Sequence, residues 1–218
     1  MPGSAGAAVL FDLDGVIVDS REHHLSAWTA FAREHAPHAA ADYFHRTFGL
    51  RNDAIIGGLI EDIEPERLAE LAARKEEIFR RSARGNLMLL PGVNELLDFL
   101  DEQAVAKAVV TSTPRANLDM ILATLGIGAR FEALVAEEDA SRGKPDPEGF
   151  LVASQRVEVA PSQCVVIEDA PAGLQAAKAA GMRAIGVTTT RPAADLGDAD
   201  LVVESLAEEI VRTFVFQR

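Results

Sequence analysis

The sequence predicts an α/β fold, a mostly parallel, doubly wound sheet with helices on both faces and a helical unit inserted after the first strand. Two observations carry this. From about residue 90 onward, short apolar runs alternate with segments of helical spacing, the pattern of strand–helix–strand crossovers. The first apolar run stands apart, because residues 13 to 107 separate it from the next and read as several amphipathic helices, too much chain for one crossover. Composition agrees: 218 residues that are 48% hydrophobic and 25% charged, with 16 Gly and 10 Pro, describe an ordinary globular protein and exclude disorder for the bulk of the chain.

Taken in order, Ala7 to Phe11 reads as a buried strand that stops at Asp12. Helices are expected over Arg21 to Glu34, Ala39 to Thr47, Asn52 to Glu61 and Pro65 to Arg84, with Arg84-Gly85-Asn86 and Leu90-Pro91-Gly92 marking the way out. The alternating charges of Arg74-Lys75-Glu76-Glu77 and Arg80-Arg81 read as solvated helix faces. Beyond them, strands are expected at Ala108 to Val110, Phe131 to Ala136, Cys164 to Ile167 and Arg183 to Val187. Helices are expected at Val93 to Leu100, Leu118 to Leu125, Pro147 to Arg156 and Ala172 to Ala180, the last stopped by Gly181. This divides the chain into a core of residues 1–18 and 89–218 and a helical insert of residues 19–88.

Charge and cysteine usage narrow the function. A formal net charge of −13 repels a phosphate backbone or an anionic membrane surface at long range, so neither nucleic acid nor a membrane is an expected partner. A local site still binds anions where a few cations and backbone N–H groups converge. Cys164, the one cysteine, allows no intrachain disulfide and reads as a buried packing thiol. Met1 to Ala7 lacks the features of a signal peptide and no apolar run reaches the length of a bilayer span, so a cytoplasmic location is expected.

In an open parallel sheet the ligand crevice lies beyond the carboxyl ends of the strands, so the residues after each apolar run carry the chemistry. Here they are Asp12-Leu13-Asp14-Gly15, Thr111-Ser112-Thr113 and Glu168-Asp169, with Arg142-Gly143-Lys144-Pro145-Asp146-Pro147 after the third run. Gathering Asp12, Asp14, Glu168 and Asp169 is destabilising unless a cation sits among them, and hard oxygen ligands at a partly open site suit Mg²⁺. A phosphate there shares its charge with the metal and Lys144, while the Thr111 hydroxyl and nearby N–H groups hold its oxygens. A carboxylate such as Asp12 then attacks phosphorus, and a second acid two residues on protonates the leaving oxygen. Singly, each piece has a plainer reading as a turn, a loop or a helix cap. Their ordered combination is what points to phosphoryl transfer.

The segments Asp12-Leu13-Asp14-Gly15-Val16-Ile17-Val18-Asp19-Ser20, Val109-Val110-Thr111-Ser112, Gly143-Lys144-Pro145-Asp146-Pro147 and Val166-Ile167-Glu168-Asp169-Ala170-Pro171-Ala172-Gly173 resemble the four ordered motifs of the haloacid dehalogenase superfamily. The resemblance spans nearly the whole chain and is closest to the β-phosphoglucomutase-like and small-molecule phosphatase branch. It implies a Rossmann-like core with a mobile helical cap, and these roles: Asp12 as nucleophile and Mg²⁺ ligand; Asp14 as general acid/base, with its backbone carbonyl on the metal; Asp169 as a further ligand; Glu168 as ligand or water-mediated partner. Thr111 holds the transferring phosphoryl group, with Ser112 the alternative register, and Lys144 balances charge.

In the insert, Asp19 to Trp28 resembles the start of the β-phosphoglucomutase cap, which makes His24 a candidate to face the site, a surface or hinge histidine being the alternative. Gly49-Leu50-Arg51-Asn52-Asp53 resembles the specificity loop of such caps, so Arg51 either grips a distal anionic group of the substrate or is a plain surface arginine. The function implied is Mg²⁺-dependent hydrolysis of a small phosphate ester through an aspartyl-phosphate, with a hexose-phosphate mutase the alternative. A non-catalytic phosphate- or Mg²⁺-binding module is a third reading, which predicts a decayed motif where none has decayed. Dehalogenases lack the second acid that Asp14 supplies, and phosphonate hydrolases want a lysine where this loop has Arg51. A monomer is expected, since a cap has to move.

Overall fold

The computed structural model describes residues 6–39 and 42–217. Met1 to Ala5, and Ala40 and Ala41 near the start of the predicted helix Ala39 to Thr47, lie outside them. Among the described residues are six strands: β1 (Ala8–Phe11), β2 (Ala106–Val110), β3 (Ala133–Val135), β4 (Cys164–Glu168), β5 (Arg183–Val187) and β6 (Leu201–Val203). They form one parallel sheet in the order β3-β2-β1-β4-β5-β6. The chain winds outward from β1 to β3 and then returns to start again at β4, so the strand order reverses between β1 and β4. That crevice, outside the carboxyl ends of the strands, is where a doubly wound sheet binds ligands.

Both faces of the sheet are covered, which is why its strands are apolar at consecutive positions. Val9, Phe11, Val109, Val165, Ile167 and Ile185 face helices α5 (Val93–Glu102), α6 (Arg115–Leu125) and α9 (Glu209–Phe216). Their neighbours Ala8, Leu10, Ala108, Val110, Val166 and Ala184 face α7 (Glu148–Arg156) and α8 (Pro171–Ala179). Cys164 is buried in this second layer, and burial pushes its thiol up to about 11, as expected of a packing cysteine. Gly181 follows α8 at φ 73°, the left-handed conformation that stops the helix.

Residues between β1 and α5 form α1 (Arg21–His35), α2 (Tyr43–Arg46), α3 (Asn52–Gly57) and α4 (Pro65–Ala83). Trp28, Phe31, Phe44, Ile55, Ile56 and Leu71 make a hydrophobic cluster of their own here. The outgoing and returning chains run side by side: Val18 bridges Leu89, the Asp19 N–H donates to Met88 O (3.1 Å) and the Leu90 N–H to Ile17 O (3.0 Å).

Several predicted extents change. β6 and α9 escape the periodicity because β6 has three residues on an edge, with Val202 exposed, and α9 is barely two turns. The third predicted strand keeps only Ala133–Val135, α6 begins three residues early behind Pro114, and α3 ends at Gly57 instead of Glu61. The solvated reading of Arg74-Lys75-Glu76-Glu77 holds for Arg74 and Glu77, which pair in solvent, and fails for Lys75 and Glu76, which are 2% and 4% exposed.

Candidate active site

Asp12 follows β1 directly, and its backbone N–H donates to Ile167 O (3.0 Å), continuing the β1–β4 ladder and setting it beside Glu168 and Asp169. Oxygens of Asp12, Glu168 and Asp169 lie within 4.8 Å of one another, and all three residues are buried. Lys144 Nζ reaches into the group, 2.5 Å from Asp12 Oδ1, 2.5 Å from Glu168 Oε1 and 3.2 Å from Val110 O. Desolvation pushes the Asp12 carboxyl well above the carboxylate range, with Glu168, Asp169 and Asp14 adding to it and Lys144 opposing. Asp169 is raised to about 7 by burial and by Glu168. Lys144, desolvated but facing Asp12 and Glu168, is held above the ordinary ammonium range.

One lysine among three buried carboxylates leaves the cluster short of positive charge, and the donors are all hard oxygens, so the residues fit a divalent cation of the Mg²⁺ type. Their engagement differs. Glu168 Oε2 accepts the N–H groups of Asp169 (3.1 Å) and Ala170 (3.3 Å) while Oε1 faces Lys144, so its lone pairs are largely taken up in holding Lys144 and the loop. A Cβ at Gly173 would strike this carboxylate, which is why glycine stands there.

The expected gathering of four carboxylates becomes three, because the Asp14 carboxylate turns away toward the insert. Three donors draw it there: Ser20 Oγ (2.5 Å), His24 Nε2 (3.3 Å) and Thr113 Oγ1 (2.8 Å). Burial alone would raise Asp14, but the His24 ring beside it and the bonds from His24, Ser20 and Thr113 outweigh that and hold it near 2. Gly15, at φ 84°, makes the turn after it, and a side chain there would collide with the Asp169 carboxylate.

His24 thus faces the site, buried and stacked on Phe79 at 4.0 Å. Behind it runs a line of polar groups that the sequence reading missed. Lys75 Nζ lies 2.9 Å from His24 Nδ1 and 2.8 Å from Glu76 Oε1. Glu76 also accepts from Asn52 (2.8 Å) and from Asn117 of α6 (2.5 Å), and Arg80 donates to Asn117 Oδ1 (2.8 Å). A signal existed: Leu71, Lys75, Phe79 and Ala83 follow at four-residue steps, so Lys75 sits in the middle of the buried stripe of α4. Since an ammonium has only donors, His24 Nδ1 accepts from it, and Nε2 carries the ring proton toward Asp14.

Thr111 is buried, its Oγ1 accepts the Thr113 N–H (3.1 Å), and both it and the half-buried Ser112 line the cavity. The cavity above Asp12 and Asp14 is walled by Trp28, Phe48, Leu50 and Ile55 of the insert, and encloses about 40 Å³, room for a few waters. Arg51 is placed otherwise than the resemblance implied. Its guanidinium donates to the carbonyls of Glu137 (2.9 Å), Ala140 (2.8 Å) and Ser141 (3.5 Å), and its stem lies flat on Gly143, next to Lys144. With three acceptors on the core loop, it ties the insert to that loop in this structure and does not reach toward the carboxylates.

A doubly wound sheet with an acidic cluster at its switch point, a lysine inside it and a helical insert folded over it defines a class, and the sequence agrees. The haloacid dehalogenase-like hydrolase family model matches residues 9–187, and the chain belongs to that family. It is 35% identical over 199 residues to validoxylamine A 7′-phosphate phosphatase of Streptomyces hygroscopicus subsp. limoneus, covering 91% of this chain and 93% of that one. It is 36% identical over 217 residues to β-phosphoglucomutase of Bacillus subtilis, covering 93% and 94%. The crystal structure of β-phosphoglucomutase from Clostridium difficile superposes with a TM-score of 0.84 at 25% identity, over 95% of this chain and 96% of that one. No described helix is long and apolar enough to cross a membrane.

Proposed function

We propose that the chain is a Mg²⁺-dependent phosphatase that hydrolyses a small phosphate ester through an aspartyl-phosphate. The observation that carries this is the division of labour between Asp12 and Asp14. One carboxylate stands in the metal cluster against Lys144, while the other, two residues on, is presented by donors to the substrate side. Asp12 and Asp169, with the Asp14 carbonyl, would hold the metal, Glu168 backing them through Lys144. The cation would neutralise charge on the phosphoryl oxygens.

In the first half-reaction an Asp12 oxygen forms a bond to phosphorus as the ester P–O bond breaks, and the leaving alkoxide takes up a proton by way of Asp14, whose carboxyl gains it as substrate displaces the donors that hold it ionised in the arrangement seen here. In the second, water attacks phosphorus and gives its proton to Asp14, and the Asp12–phosphorus bond breaks to release phosphate. Lys144 and the Thr111 hydroxyl hold the transferring group in line. Residues 19–88 act as a cap, whose Trp28, Phe48, Leu50 and Ile55 wall the cavity over Asp12 and Asp14 and which swings about the bridged chains at Val18 and Leu89 to admit substrate.

A mutase is the second reading, supported by the likeness to β-phosphoglucomutases. In it, a second hydroxyl of the substrate takes the phosphoryl group in place of water. The partner is a small phosphorylated metabolite, and the protein is taken as a cytoplasmic monomer. Phosphorus NMR of a panel of phosphate esters, including β-glucose 1-phosphate, with Mg²⁺ separates the readings. Free phosphate from the native protein and none from Asp12→Asn is the expected result; an isomerised sugar phosphate makes the enzyme a mutase. Turnover that survives excess chelator overturns the metal dependence.

A further inference from the structure

The loop that follows β5 touches the site at two successive residues and the insert at the next. The Thr189 hydroxyl donates to the Gly15 carbonyl, in the turn that carries Asp14. The Thr190 hydroxyl donates to Asp169 Oδ2, and its methyl group stands against Gly15, 2.9 Å from where a Cβ would be. The Arg191 guanidinium reaches across to Arg46 O (2.9 Å) at the end of α2 in the insert. No other group among the described residues donates a hydrogen bond to the Asp169 carboxylate.

A carboxylate two bonds from its backbone rotates freely about its side-chain torsions unless something fixes it, and a buried one beside Glu168 is repelled by its neighbour. A single hydroxyl on Oδ2 sets the plane of the group and leaves Oδ1 without a hydrogen bond among the described residues. Carboxylates that bind metals are commonly fixed in this way by a second hydrogen bond, and loss of such a partner lowers metal affinity about 10–100-fold. Thr189 and Arg191, bonded on either side, hold the loop so that the hydroxyl arrives in one place.

We infer that Thr190 is a positioning residue, whose hydroxyl orients Asp169 for the divalent cation. This rests on the metal site proposed above. Calorimetric titration of Mg²⁺ into the substrate-free full chain reads the effect without turnover. Thr190→Val keeps the shape and removes the hydroxyl; Thr190→Ser keeps the hydroxyl and removes the methyl group. The expected result is a 10–100-fold weaker affinity in Thr190→Val, with Thr190→Ser within about threefold of the native protein. Far-ultraviolet circular dichroism at the titration temperature accompanies each variant. Native affinity in Thr190→Val overturns the inference, and so does a Thr190→Ser protein that folds and binds as weakly as Thr190→Val, because the methyl contact with Gly15 would then be what matters. Absence of Mg²⁺ binding by the native protein overturns the metal site itself, and this inference with it.

Discussion

Lys144 is the one cation inside the acidic cluster, held between Asp12 and Glu168 at 2.5 Å from each. Replacing it with methionine leaves those carboxylates facing each other and removes a donor aimed at developing phosphoryl charge. Turnover is expected to fall by at least about 10²-fold, read as the initial rate of phosphate release. Arginine at this position does not restore it, because a planar fork cannot replace a compact ammonium in so small a space. At this scale much was legible: Asp12, Asp14, Lys144, Glu168 and Asp169 stand at or just after strand ends or in a loop, where sequence position alone predicts the edge of the sheet at which a residue lies, though not the turn of the Asp14 carboxylate out of the cluster. Thr190 was not, since a threonine after a strand has no local mark that tells it from any other surface hydroxyl.

Helix α4 shows how an element can hide chemistry inside a charged run. Lys75 and Glu76 form a buried ion pair, 2.8 Å apart, braced by Asn52, Asn117 and His24. Lys75→Met leaves Glu76 buried without its cation and is expected to cost about 3–5 kcal/mol in urea unfolding; Lys75→Met with Glu76→Gln recovers most of that loss. Asn117 belongs to the core and Glu76 to the insert, so their hydrogen bond also joins the two, as Arg51 does through the Glu137 and Ala140 carbonyls. Arg51→Ala frees the loop that carries Lys144, and kcat is expected to fall by up to about 10²-fold in steady-state kinetics with little change in KM. A rise in KM confined to substrates with a second anionic group would return Arg51 to the role its motif implied. Periodicity located all four helices of the insert, but the contacts that join Asn52 to Glu76, Glu76 to Asn117, Lys75 to His24 and Arg51 to Ser141 span 24, 41, 51 and 90 positions of the chain, beyond the reach of any local pattern.

Across the whole molecule the insert and the core meet along a seam where charge is unevenly matched. Glu137 stands in it, raised to about 7 by burial, with Arg51 opposing and Asp53, Glu138 and Glu76 reinforcing the rise. A folded value above the ordinary 4.5 means the folded chain holds this proton longer than the unfolded one. Its stabilisation is therefore complete below about 4.5 and is lost as pH rises through about 7. Between pH 5 and 8 the Tm of the native protein is expected to fall more steeply than that of Glu137→Gln, a comparison that removes the contributions common to both. Mg²⁺ binding is expected to raise the Tm of the native protein, by about 2.7 kcal/mol of stability at a hundredfold excess over its Kd, and not that of Asp169→Asn.

The sequence by itself determined the doubly wound core, the helical insert, the three strand ends that carry Asp12, Thr111 and Glu168-Asp169 and the loop that carries Lys144. These follow from burial periodicity and from the rule that a parallel sheet presents its carboxyl ends together. Only the tertiary structure decided which way the carboxylates face, that Asp14 leaves the cluster for Ser20, His24 and Thr113, that Lys75 and Glu76 are buried, and that the Arg51 Nη groups bond the core loop. The physical reason is that a side chain's orientation is set by the donors and acceptors that surround it, and here those come from the far side of the chain.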